Sequence, residues 1–321
     1  MTNKDITKIY FRGNEIVALY RGDTLIFKKS GGGSTGVYTV RGTVNPFTGE
    51  QSIQLCVNGK QEQFNVNSDN TFEHTFVNVP ITNMDYFTQP CRDKLKTIDL
   101  SSLDTSQVTS MTEAFIQCDK LEEIILTNLD TSNVTDMSYM FADCFNLTSL
   151  DVSNFDTSKV TSMEDMFNGC RSLTSLDVSN FDTSKVTEMG HMFRGCENLK
   201  SLDLTNFDTS KVTRFQYMFY DDEKLTDLYI NFDVRLGTYF KTTFNLCFSL
   251  KNVVGKFEGT KLDLDLSNCS NLTAQSAMVF INGLATVTEK RTLSLNAKTY
   301  DSLTTEQIAI ATAKGWTVTR N

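Results

Sequence analysis

The chain has 321 residues, 40% hydrophobic and 21% charged, enough for one large core or for about two to three domains. Its net charge of -9 argues against a broad nucleic-acid or anionic-membrane surface, and no apolar run approaches a membrane span, the nearest being residues 277–281. Only two histidines occur, His74 and His191, far apart in sequence, which leaves little room for histidine-based metal or acid–base sites.

The opening, MTNKDITKIYFRGNE, has no apolar h-region, so no secretion signal is expected. Residues 6–28 alternate apolar positions between glycine-containing turns and predict a small β-hairpin or meander. Such a unit, over residues 1–29, is too small to bury much surface alone and reads as an anchor. The run Ser-Gly-Gly-Gly-Ser predicts a flexible linker over 30–36, an expression scar being the alternative that its flanks oppose. Residues 37–80 alternate again, with turn signals at Asn45-Pro46, Asn58-Gly59 and Asp69-Asn70. They predict a small antiparallel β domain, read as a spacer or cap ahead of an Ig-like or carbohydrate-binding module.

Residues 81–94 look like half of the unit that follows. Leucines at 95, 121, 147, 173, 199 and 225 open copies of one phrase at a spacing of 26 residues. A period in that range marks a stack of units that cannot each bury their own apolar face. In residues 147–170, LTSLDVSNFDTSKVTSMEDMFNGC, Leu147, Leu150 and Val152 point one way and Asp151 and Ser153 the other, which predicts a short strand. After the turn Phe155-Asp156-Thr157-Ser158, the residues Val160, Met163, Phe167 and Cys170 fall on one helical stripe. The expected fold class is therefore α/β: a solenoid of 26-residue strand–helix turns over 81–250, with a parallel sheet on one face, preceded by small all-β segments. Asp222 replaces the expected cysteine in the fifth copy, and the sixth loses Asp-Thr-Ser. Residues 251–321 predict a βαβαβ cap: strands at 262–266, 291–295 and 316–319, with helices at 273–284 and from Thr304 to just before Gly315.

Three columns of polar or reactive residues follow from the period. Cys118, Cys144, Cys170 and Cys196 form a buried thiol ladder, since zinc needs ligands that converge rather than line up. Asp104, Asp130, Asp156, Asp182 and Asp208, each followed by Thr-Ser, are turn-forming and capping residues, with a calcium row as the minor alternative. Asp151, Asp177 and Asp203, with Ser149, Ser175, Ser201 and, at the end, Tyr229, form the polar strand face taken as the candidate ligand face, a merely solvated face being its alternative. No Ser-His-Asp set, phosphate loop or HExxH motif occurs, and no catalytic residue, cofactor or metal ligand is assigned.

The phrase LxxLDxSxFDTSxVTxMxxMFxxC resembles the repeat of the BspA-like leucine-rich-repeat surface proteins, over roughly residues 81–250. The tail, LDLSNCSNLTAQSAMVFINGLA…LTTEQIAIATAKGWTV, resembles the C-terminal ends of related repeat proteins, found in gut bacteria and in the tail or fibre genes of their phages, and the opening IYFRGNEIVALYRGDTLIF resembles N-terminal segments of phage and prophage structural proteins from the same hosts. The resemblance implies a leucine-rich-repeat rod and a non-enzymatic virion structural protein on the particle surface. It also implies attachment to other virion proteins through the N-terminal segment, homo-oligomers (trimers by analogy with fibres) and recognition of a host-surface glycan or protein. Neither nucleic-acid binding nor membrane insertion is expected. A bacterial cell-surface adhesin and a virion scaffold without a receptor role are the alternatives.

Overall fold

The computed structural model describes residues 37–45, 52–77, 80–240 and 242–321, together with the backbone of three N-terminal strands. Those strands, β1 (Lys8–Arg12), β2 (Glu15–Arg21) and β3 (Thr24–Lys28), pair in order as an antiparallel meander. The linker expected at 30–36 lies outside the described residues.

The next unit holds β4 (Val37–Val44), β5 (Ser52–Val57), β6 (Lys60–Asn65) and β7 (Thr71–Val77). Ile53, Leu55 and Val57 point inward along β5 while their neighbours are half-exposed, the period of two of a one-sided strand. Asn58 and Gly59 both take positive φ, 52° and 71°, and close the β5–β6 hairpin as a two-residue turn of the kind Asn-Gly favours. Strand β4 pairs with β7 on one side and, on the other, with β8 (Leu95–Asp99), the first strand of the repeat region. Gly42 permits that approach, because a Cβ there would lie 2.1 Å from the Thr97 carbonyl oxygen. Tyr38 Oη donates to Asp104 at 2.9 Å, and Ser102 Oγ donates to the Thr39 carbonyl at 2.5 Å. This unit therefore sits directly on the first coil of the repeat region.

The strand–helix solenoid expected from the period is overturned. The strands after β8 are β9 (Glu123–Ile125), β10 (Ser201–Leu204), β11 (Asp227–Asp233) and β12 (Asn252–Glu258). β8 pairs with β9, and β10, β11 and β12 form a separate parallel sheet, so no sheet runs the length of the region. Among the described residues no α-helix forms between 92 and 273, although Val160, Met163 and Phe167 have helical spacing. The reason lies in where the backbone donors go. An α-helix needs each N–H to reach the carbonyl four residues back. Here the N–H groups of Met163, Asp165, Phe167 and Gly169 donate to the carbonyls of Glu188, Gly190, Met192 and Arg194, one coil further on, at 2.7–3.0 Å. The same pattern links the preceding and following coils. Turns, with Asp165 at φ 56° and Gly169 at 70°, bring the apolar residues to one side without a helix.

What recurs every 26 residues is thus a coil of turns whose core stacks like on like. Phe115, Phe141, Phe167, Phe193 and Phe219 form a buried column with ring centroids 5.4–6.0 Å apart and nearly parallel planes. Offset aromatic pairs of this kind add about 0.5–1.5 kcal/mol beyond their buried area. The thiols of Cys144, Cys170 and Cys196 donate to the carbonyls of Phe115, Phe141 and Phe167 at 3.2–3.3 Å. At the far end, β13 (Leu264–Leu266), α1 (Ala274–Gly283), β14 (Arg291–Leu295), α2 (Ala297–Asp301), α3 (Thr305–Ala313) and β15 (Trp316–Arg320) build a three-stranded parallel sheet with helices against it. Thr304 and Gln307 close α3 with a reciprocal capping box.

Candidate recognition surface

Cys118, Cys144, Cys170 and Cys196 are fully buried, and burial pushes the thiols of Cys118 and Cys170 up to about 12. They line the core beside the phenylalanine column, away from solvent.

In the turn column, Asp104, Asp130, Asp156, Asp182 and Asp208 each accept from the backbone N–H of the serine two residues on, at 2.9–3.1 Å. These hydrogen bonds, led by the Ser158 side chain, hold the Asp156 carboxyl below its usual range. The threonine beside each aspartate helps join one coil to the next. Thr105, Thr131, Thr157, Thr183 and Thr209 are buried, and each hydroxyl donates to a backbone carbonyl one coil on, at 2.8–3.1 Å. Thr131 Oγ1 also accepts from the Asp156 N–H, and Thr157 Oγ1 from the Asp182 N–H, both at 2.8 Å. Each such bond is worth about 0.5–1.5 kcal/mol net.

The candidate ligand face divides. Ser149, Asp151, Ser175, Asp177, Ser201 and Asp203 are all exposed and Tyr229 is half-buried. Asp203 and Tyr229 are register partners across β10 and β11, whereas Asp151 and Asp177 lie outside any strand. Asp151, Asp177 and Asp203 each accept from the backbone N–H two residues ahead, at 3.0 Å. That bond and the Ser179 hydroxyl hold the Asp177 carboxyl below its usual range. The carboxylates are thus engaged in local turns.

A different surface carries the chemical variety. Residues 147–161 and 173–187 are identical, LTSLDVSNFDTSKVT. In the rest of the two copies, up to Cys170 and Cys196, only four positions differ: Ser162/Glu188, Glu164/Gly190, Asp165/His191 and Asn168/Arg194. All four lie within one segment of the coil, the ridge, residues 162–168 and 188–194, which begins where single-residue parallel bridges join Ser110, Asp136, Ser162, Glu188 and Arg214 in succession. Beside these runs the column Glu113, Tyr139, Asp165, His191, Tyr217, every member with φ between 55° and 58°. Non-glycine residues in that left-handed region cost about 1–3 kcal/mol each and persist only where the surroundings impose them. The column turns aromatic at its far end: the His191 ring lies 5.0 Å from Tyr217, which is 5.3 Å from Tyr220 and 6.5 Å from the exposed Tyr239. Arg194 sits over Tyr220 at 5.4 Å, and Glu188 pairs with Arg214 at 3.2 Å. Between residues 147–170 and 173–196 the core is the same while this segment differs. Its sequence signal was available in the places where near-identical copies disagree.

A recurrent stacked core bearing one varied segment defines a repeat protein in which the coils hold side chains in fixed register. The chain belongs to the family described as Mycoplasma protein of unknown function, DUF285, whose model matches residues 82–176 and 167–278. That match agrees with the BspA-like resemblance at the level of family. No curated protein matches the chain. Among the described residues no helix is long and apolar enough to cross a membrane.

Proposed function

We propose that the protein is a non-enzymatic recognition protein of the adhesin type, displayed at a surface, with the varied ridge as its binding face. The observation that carries this reading is the confinement of the differences between residues 147–170 and 173–196 to that ridge. A side chain that only filled the core or formed a turn would repeat with the coil, as the threonine and phenylalanine columns do. The stacked backbone supports the reading because a face held in place beforehand loses little conformational freedom on binding. Tyrosine and arginine, enriched at binding hot spots, gather at its far end. Its partner is a host-surface glycan or protein.

The finer reading places the protein on a phage particle. The N-terminal meander joins other virion proteins, and the chain assembles as a homo-oligomer, a trimer by analogy with fibres. Its support is the short N-terminal and tail resemblance. Fractionation of the producing culture, followed with an antibody against residues 95–250, tests both levels. Co-banding with intact particles and labelling on their outside is the expected result. Recovery in the envelope of uninfected cells would move the protein to the bacterial surface. Exposure on neither would overturn the recognition reading itself.

A further inference from the structure

We propose that Glu164, Asp165 and His191 form a binding site for a first-row divalent metal ion. The two residues that set it up are 26 apart in sequence and one coil apart in space: His191 Nδ1 lies 3.1 Å from Asp165 Oδ2. One ligand atom from each of Glu164, Asp165 and His191 lies within 4.8 Å of the other two. Zinc bound to nitrogen and oxygen at about 2.0–2.2 Å holds its ligand atoms about 3.3 Å apart, so the set needs only small side-chain rotations to close on an ion. One imidazole and two carboxylates is a donor set suited to zinc, manganese or cobalt and poorly suited to the soft copper(I) ion.

Three further observations bear on the site. The Asp165 and His191 backbones are fixed by N–H bonds to the Gly190 and Gln216 carbonyls at 2.9 and 2.8 Å, so the ligands are held before any ion arrives. Outer contacts orient them: Asn168 Nδ2 donates to Asp165 Oδ1 at 2.7 Å, and Tyr217 flanks the imidazole. The Asp165 side chain is only 4% exposed. The site is also made by the positions at which the two near-identical copies differ: one supplies Glu164, Asp165 and Asn168, the other His191. Its counterpart to Glu164 is Gly190, where a Cβ would lie 2.5 Å from Gln216 Nε2, so the side-chain amide of Gln216 comes down over this part of the ridge. On binding, the ion takes the place of the direct contact between Asp165 Oδ2 and His191 Nδ1.

The test is calorimetric titration of the full chain with zinc chloride, with cobalt(II) as a spectroscopic reporter. One ion per chain is expected, with a cobalt spectrum lacking thiolate charge-transfer bands. His191→Ala and Glu164→Gln should each weaken zinc binding by more than about tenfold, and Asn168→Ala by about 10–100-fold, the usual effect of losing an outer-shell partner. His74→Ala should bind as the parent does, and circular dichroism will show whether each variant keeps its fold. The proposal is overturned if the parent chain takes up no zinc at millimolar concentration, if a folded His191→Ala variant binds as tightly as the parent, or if the cobalt spectrum shows thiolate ligation.

Discussion

Replacing Asp222 by cysteine is expected to stabilise the protein by about 1–3 kcal/mol at neutral pH, the range for removing a buried polar atom without a partner. Asp222 occupies the thiol column and is fully buried. Its Oδ1 accepts from the Cys196 N–H at 2.8 Å, while Oδ2 is buried without a hydrogen-bond partner. Burial raises its carboxyl well above the usual range, against the opposing pull of the Cys196 N–H. The sign for stability follows. A carboxyl whose pKa is higher in the folded than in the unfolded chain contributes fully below the unfolded value, near pH 4, and loses that contribution as pH rises towards the folded value. The parent should therefore lose stability from about pH 4 upward through neutrality, and Asp222→Cys should flatten that slope. The exchange leaves no orphan behind, because the Cys196 N–H also reaches the Phe193 carbonyl at 3.1 Å. The new thiol would find that same carbonyl, as Cys144, Cys170 and Cys196 find those of Phe115, Phe141 and Phe167. Thermal melts from pH 4 to 8 check this. A variant less stable than the parent at pH 8, or one with the same pH slope, would show that Asp222 is not a defect in the column.

Phe167→Ala should cost about 3–5 kcal/mol, the range for truncating a buried phenylalanine. Phe167 is fully buried between Phe141 and Phe193, with centroids at 5.9 and 5.8 Å, so no neighbour is free to collapse into the gap. Because each coil contacts mainly its neighbours, the loss should concentrate locally, with hydrogen exchange faster at the Phe141, Phe167 and Phe193 amides than at the ends of the stack. Phe155→Leu is the internal control. The same place in earlier coils is Leu103 and Leu129, both buried, so a loss below about 1.5 kcal/mol is expected there. Equal losses in the two variants, measured by urea unfolding, would mean that the aromatic column is not a principal support.

The period, the apolar positions and the thiol ladder were legible because each repeats at a fixed interval and apolar burial does not depend on which local conformation delivers it. The helix was not. Val160, Met163 and Phe167 share a side equally well on a helix or on a coil of turns, and spacing alone does not say that the Asp165 N–H bonds Gly190 of the next coil. The continuous sheet failed for a related reason: alternation at Leu150 to Ser153 fits a strand, yet among the described residues strands pair across coils only at β8–β9 and β10–β12, while the middle coils are joined by single-residue bridges on another side. Thr157 was read as part of a turn, while the structure shows its hydroxyl bridging two coils. In sequence His191 is remote from His74. Its neighbour proved to be Asp165, which only the stacking could bring to it.

The central claim is that recognition belongs to the ridge and not to the Asp151 face. Exchanging the four ridge residues of one copy for those of the next, S162E/E164G/D165H/N168R, tests it most directly. It is compared with D151N/D177N/D203N in binding of the labelled full chain to whole cells from the producing culture. The ridge exchange should lower binding at least about tenfold, a difference of about 1.4 kcal/mol, while the aspartate variant stays close to the parent. Melting should change little in either, since all the introduced ridge residues already occur at equivalent places in the stack. Full binding by the ridge exchange, with loss in the aspartate variant, would contradict the account and return recognition to the face of Ser149, Asp151 and their counterparts.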